Sequence, residues 1–249
     1  MIAALVIAVV AGAAIGLGSG LLGVTLERVE KLEEEEAEER LQYERDVVEA
    51  TEKAASEGQP PPKAEPWSHE RYGWTPLEYA LSPVLMAGGY AAFVAHGPVD
   101  GGLFIHLLWV TVLVHILVFD LKHRLILNKI TYPAVVVALA LAQFSPGLTA
   151  PRALIGGAGV ALFFFVLNLI SRGGIGLGDA KLGALIGAVT GAGNDPAHLG
   201  AVYASIYGIL LGGAAAVVLL ITRLRRLKDP IPYGPFLCAG CAIILFQGP

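Results

Sequence analysis

Eight apolar stretches restrict what this chain can become. They fall at approximately 2–24, 79–96, 102–120, 130–146, 152–171, 179–193, 199–222 and 233–247. A bilayer core takes about 20 apolar residues per crossing helix. Backbone in lipid must satisfy its own hydrogen bonds, so helices are the expected form. The expectation is an all-α, polytopic integral membrane protein with about eight transmembrane helices. Composition agrees: 55% of the 249 residues are hydrophobic, and mean hydropathy is +0.65. Only 15% are charged, against roughly 25% in an ordinary soluble domain. The apolar first 24 residues lack a basic leading stretch and an A-x-A-like cleavage context, so they read as a retained first span rather than a signal peptide.

Charge divides the chain. Sixteen of the 21 acidic residues lie between Glu27 and Glu78, and the only later ones are Asp100, Asp120, Asp179, Asp195 and Asp229. The net charge of -4 therefore belongs to one hydrophilic segment, and no nucleic-acid partner is expected. This gives three parts: a first transmembrane helix (1–24), a cytoplasmic acidic helix with a Pro-rich linker (25–78), and a seven-helix membrane domain (79–249). Residues 26–57 read as a polar helix, "SEGQPPPKAEP" as a linker, and Trp67 and Trp74 as interfacial aromatics. Lys and Arg favour the cytoplasmic side. Segment 25–78, the loop "DLKHRLILNK", "SRGGIGLGDAK" and "RLRRLKD" carry almost all of them, whereas the opposite loops hold only Arg152. The alternation orients eight spans with both termini outside.

Two carboxylates stand out from this pattern. Asp120 ends the run "LLWVTVLVHILVFD", and Asp179 begins the sixth span. Two crossings separate them, so both belong at the cytoplasmic surface. Membrane-embedded carboxylates are costly, and they line interior cavities or relay protons. Two that face each other can share one proton. The ionised partner then takes a proton from water, while the neutral partner holds the scissile carbonyl and later protonates the leaving amine. Asp179 also stands among Gly174, Gly176, Gly178 and Gly183 in "GIGLGDAKLG". Glycine allows close backbone approach, as an extended substrate beside a catalytic group would need. On residues alone three readings remain open: helix-capping aspartates with packing glycines, a proton relay in a transporter, and a catalytic dyad.

"GIGLGDAKL" resembles the G-x-G-D-x-K-L signature of the type IV prepilin peptidases, intramembrane aspartic proteases related to archaeal preflagellin peptidases. "DLKHRLILNKITYP" is similar to that family's other aspartate motif, with Leu127 where the family often has proline. "IPYGPFLCAG", residues 231–240, resembles its I-P-F-G-P-F stretch before the last helix. The three motifs occur in the family's order. The resemblance implies that Asp120 and Asp179 are the catalytic pair. It implies a type IV pilin or pseudopilin precursor as substrate, cut at the cytoplasmic face of the bacterial inner membrane, after a glycine and before a hydrophobic helix. Gly176, Gly178 and Lys181 are the candidate substrate-binding residues. An inactive pilus-assembly scaffold is a further alternative.

The N-terminal half departs from that pattern. "GSGLLGVTLERV" keeps Gly18 and Ser19 but lacks the Phe and Asn of the bifunctional members, and segment 25–78 has no cysteine. No metal site is expected. No cofactor is expected either, with S-adenosylmethionine needed only if N-methyltransferase activity is retained. Cys238 and Cys241 read as small packing residues of the last span. His115 precedes Asp120 by five residues, about 140° away around the helix, so it should face elsewhere.

Overall fold

The computed structural model describes residues 2–29, 32–57, 60, 75–171, 176–193, 199–222 and 232–247, with backbone alone at 29, 32–37 and 39. Trp67, Trp74, most of the Pro-rich linker, the Arg223–Arg226 cluster, Arg172, Asp195 and Asp229 lie outside the described residues. All regular structure among the described residues is helical: α1 Ile2–Val29, α2 Leu32–Ser56, α3 Ser82–His96, α4 Gly101–His123, α5 Asn128–Leu141, α6 Ala150–Ile170, α7 Leu177–Thr190, α8 Gly200–Ile221 and α9 Gly234–Gln247. A π-helical turn, Leu77–Leu81, leads into α3, and a 3-10 turn, Ala142–Phe144, follows α5.

Among the described residues five helices are long and apolar enough to cross a membrane: α1, the run Leu77–His96, α4, α6 and α8. Their outward faces expose large side chains such as Ile155, Leu162, Phe163, Leu210 and Val217, as a lipid solvent allows. The other three expected spans are α5, α7 and α9, of 14 residues each. At 1.5 Å per residue each is about 21 Å long, against a hydrocarbon core of about 30 Å. The polar helix expected over 26–57 corresponds to the end of α1 and to α2. On α2, Arg40 pairs with Glu44 at 3.1 Å, and Gln42 donates to Asp46 at 2.8 Å.

α4 is the central helix. Its Trp109, Leu113 and Ile116 join a core with Leu182, Leu185, Ile186 and Leu237 of α7 and α9. Its Val110, Val114 and Val118 join a second core with Ala8, Met86 and Tyr90 of α1 and α3. The spacing 109, 113, 116, 120 keeps one helix face, so Asp120 continues the stripe that points at α7 and α9. The spacing 115, 119, 122 keeps another face, which points at α1. Close approach is built in where α6 runs along α7. Cβ atoms on Gly156 or Gly187 would collide with the other's backbone, so small residues set this interface.

Candidate functional site

Asp120 sits on the last turn of α4 and is buried. α4 stops three residues later because Arg124 is left-handed (φ 54, ψ 36) and donates its N–H to the Asp120 carbonyl at 2.8 Å. The chain then runs extended through Leu127 into α5. Asp179 is the third residue of α7, half-buried, with its backbone N–H 3.1 Å from the Gly176 carbonyl. It is placed for the favourable end of the helix dipole, as capping reasoning expected. No side chain caps this end, because the N-cap is Gly176.

Both aspartates line one open cavity of about 600 Å³. The three 14-residue helices α5, α7 and α9 all begin at this cavity, contributing Asn128, Gly178 and, just before α9, Tyr233. α4 and α6 end beside it, contributing Arg124 and Leu167. Each short helix falls about 9 Å short of a full crossing. Three helix N-termini directed at the cavity favour negative charge and offset part of the repulsion between the carboxylates.

The other candidates lie in the same cavity. Gly176 is exposed at its lip, and a Cβ there would stand 3.6 Å from Asp179 Oδ2. Gly178 is packed against Ile126, whose side chain would be 3.3 Å from an added Cβ. Its lack of a side chain thus serves the contact between α7 and the α4–α5 connection as well as the cavity wall. Lys181 Nζ donates to Asn128 Oδ1 at 2.8 Å and lies 5.7 Å from the Tyr132 ring centre. This bond ties the starts of α5 and α7 across the rim.

Sequence reasoning missed several features. Arg124, Phe164 and Tyr233 line the cavity but carried no assigned role. Gly234 is closest of all: a Cβ there would stand 2.6 Å from Asp120 Oδ2 and 3.1 Å from its Cγ. The Y-G-P-F stretch was visible as a motif, but nothing in it revealed that its glycine abuts Asp120. Asp120 Oδ2 is buried and accepts no hydrogen bond from a described residue. Such an oxygen is costly to bury unless it bonds to what enters the cavity.

His115 faces away, as its spacing implies, with Nδ1 2.8 Å from Ser19 Oγ of α1. Asp100 caps α4, accepting from the Leu103 N–H at 3.0 Å. Cys238 and Cys241 are buried free thiols in the core of α9. Among the described residues no three His, Cys, Asp or Glu side chains are grouped to hold a metal ion.

Residues 107–221 match the model of the type IV leader peptidase family, a segment that contains both Asp120 and Asp179. A Bacillus subtilis protein named prepilin leader peptidase/N-methyltransferase is 31% identical over 173 residues, 68% of this chain and 66% of that protein. A Burkholderia pseudomallei protein of the same name is 30% identical over 178 residues, 70% of this chain and 54% of that protein. One from Xanthomonas campestris is 31% identical over 135 residues, 52% of this chain and 45% of that protein. The chain thus spans between about half and just under two thirds of these relatives. No solved structure matches it.

Proposed function

Through residues 107–221 the chain belongs to the type IV leader peptidase family, and from that premise we propose that it removes the leader of type IV pilin-like precursors by aspartic hydrolysis. The observation that carries this reading is that Asp120 and Asp179, 59 positions apart in sequence, line the same cavity. A capping role would not require the two to converge.

In the proposed reaction one carboxylate is ionised and the other protonated. The ionised one takes a proton from water as the water oxygen attacks the scissile carbonyl. The protonated one donates a hydrogen bond to the carbonyl oxygen, then gives its proton to the leaving nitrogen as the C–N bond breaks. Water is the only co-substrate, and the hydrolysis uses neither metal nor cofactor. Apolar walls at Leu125, Phe164, Leu167 and Ile209 suit the apolar helix that follows a leader. Gly176 and Gly178 leave room for an extended strand beside Asp179, and Lys181 orients it at the rim.

The protein is an eight-span protein of the bacterial cytoplasmic membrane in this reading. Residues 25–78 lie on the cytoplasmic side, where Lys and Arg concentrate, and the cavity opens to that side. The relatives' name includes N-methyltransferase. That activity, with S-adenosylmethionine as donor, is not part of this proposal, because the Phe and Asn of the bifunctional motif are absent around Gly18 and Ser19. Incubating purified protein with a pilin-like precursor tests the proposal. Release of the leader by wild type and not by Asp179→Asn supports it, and equal release by both refutes it. A mass gain of one CH2 on the new N-terminus would overturn the exclusion of methyl transfer.

A further inference from the structure

A second group of ionisable side chains is buried on the far side of α4 from the cavity. Lys122 Nζ donates to Glu27 Oε1 at 2.6 Å and to Glu78 Oε1 at 2.7 Å. His123 Nε2 lies 2.8 Å from the same Glu27 oxygen. Glu78 Oε2 accepts from the backbone N–H of Thr75 at 2.8 Å and from the Thr75 hydroxyl. All four side chains are almost fully withdrawn from solvent, none more than 4% exposed. Holding two carboxylates and an ammonium out of water is expensive, and replacing such a group by apolar residues is often neutral or stabilising. Its presence therefore calls for a reason other than stability.

Its placement supplies one. Glu27 is on the last turn of α1, and Glu78 is on the π-helical turn that begins the second apolar run. These two residues bracket the entire hydrophilic segment, and one lysine holds both. π-turns inside helices are rare and frequent at functional sites, and this one carries Glu78. Lys122 is two residues beyond Asp120, hence about 200° around α4. It pulls toward α1 as Asp120 points toward α7 and α9. The same turn ends in the left-handed Arg124 and leads into Leu125 and Ile126 of the cavity wall.

We infer that Lys122, anchored by Glu27 and Glu78, is a positioning residue that fixes the rotation of the last turn of α4 and so holds Asp120 toward Asp179. This rests on the proposed dyad. The N-terminal segment, which lies outside residues 107–221 matched by the family, then contributes to cleavage without touching substrate.

The test is steady-state cleavage of a synthetic leader-spanning peptide by the full chain in detergent. The variants are Glu27→Gln, Glu78→Gln, Lys122→Met and Lys122→Arg, with Asp120→Asn alongside. Misplacing a reacting group by 1 Å lowers rates about 100-fold. Lys122→Met is therefore expected to lose about 100-fold in kcat with KM within about twofold. Lys122→Arg, which can still reach two carboxylates, should recover at least about tenfold of that loss. The Gln variants keep hydrogen-bond acceptors and should fold even if Lys122→Met does not. They are expected to lose about tenfold in kcat at unchanged KM. Gln variants with wild-type kcat, or a loss confined to KM, would overturn the inference while leaving the dyad intact. Cleavage that survives Asp120→Asn would overturn the dyad and the inference together.

Discussion

Replacing Gly234 by alanine adds one methyl group to the start of α9 and nothing else. Gly234 does not have positive φ, and alanine favours helix, so the backbone accepts the change. The new Cβ would lie 2.6 Å from Asp120 Oδ2, about 0.8 Å inside ordinary contact. Leu182 Cδ2, at 3.5 Å, blocks escape on one side. The carboxylate must therefore swing away from its place or α9 must retreat. Displacements near 1 Å in a catalytic constellation cost about 100-fold in rate, so kcat for leader cleavage should fall between about 10-fold and 100-fold. Overpacking of this size destabilises by about 1–3 kcal/mol. The two effects separate in an Asp120→Ala background. There the colliding oxygen is gone, and Gly234→Ala should no longer lower the unfolding temperature. The assay pairs cleavage kinetics with thermal unfolding of the four proteins in detergent. A kcat within twofold of wild type, or the same thermal loss in both backgrounds, would refute the reasoning.

Gly187→Leu should prevent α6 and α7 from closing on each other through Gly156; the expected loss exceeds about 3 kcal/mol, read as poor recovery of monodisperse protein and early thermal unfolding. Lys181→Ala removes the 2.8 Å bond to Asn128 at the rim. A partly exposed bond of this kind is worth about 1 kcal/mol or less, so the unfolding temperature should barely move while KM for precursor rises and kcat holds within a few-fold. Asp100→Ala removes the cap on α4 at the opposite end from Asp120; it should cost about 1 kcal/mol in thermal unfolding and leave cleavage rates unchanged.

The helical layout was legible in the sequence because lipid admits few alternatives. The apolar runs at 102–120, 152–171 and 199–222 lie within a few residues of α4, α6 and α8. The runs at 130–146, 179–193 and 233–247 were expected as full spans, whereas α5, α7 and α9 are 14 residues each. That Asp120 and Asp179 line one cavity agrees with the expectation, drawn from the sequence, that both belong at one surface. Other features depend on contacts that no local pattern encodes. Glu27 and Glu78 look in sequence like the edges of a solvated acidic segment, and Lys122 like one more cytoplasmic lysine. Their pairing joins positions 44 and 95 residues apart. Gly234 likewise reads as one glycine among 31 until α9 is laid against α4. The hydrophobic pattern states which face turns inward, but not which neighbour's carboxylate waits there.

The central claim is that Asp120 and Asp179 act together on one peptide bond. The most direct test incubates purified wild-type protein, Asp120→Asn and Asp179→Asn with the same pilin-like precursor and follows leader release by mass. Wild type should release the leader, and each single Asn variant, though folded with wild-type unfolding temperature within a few degrees, should release none above the no-enzyme control. Release at the wild-type rate by either variant would contradict the account.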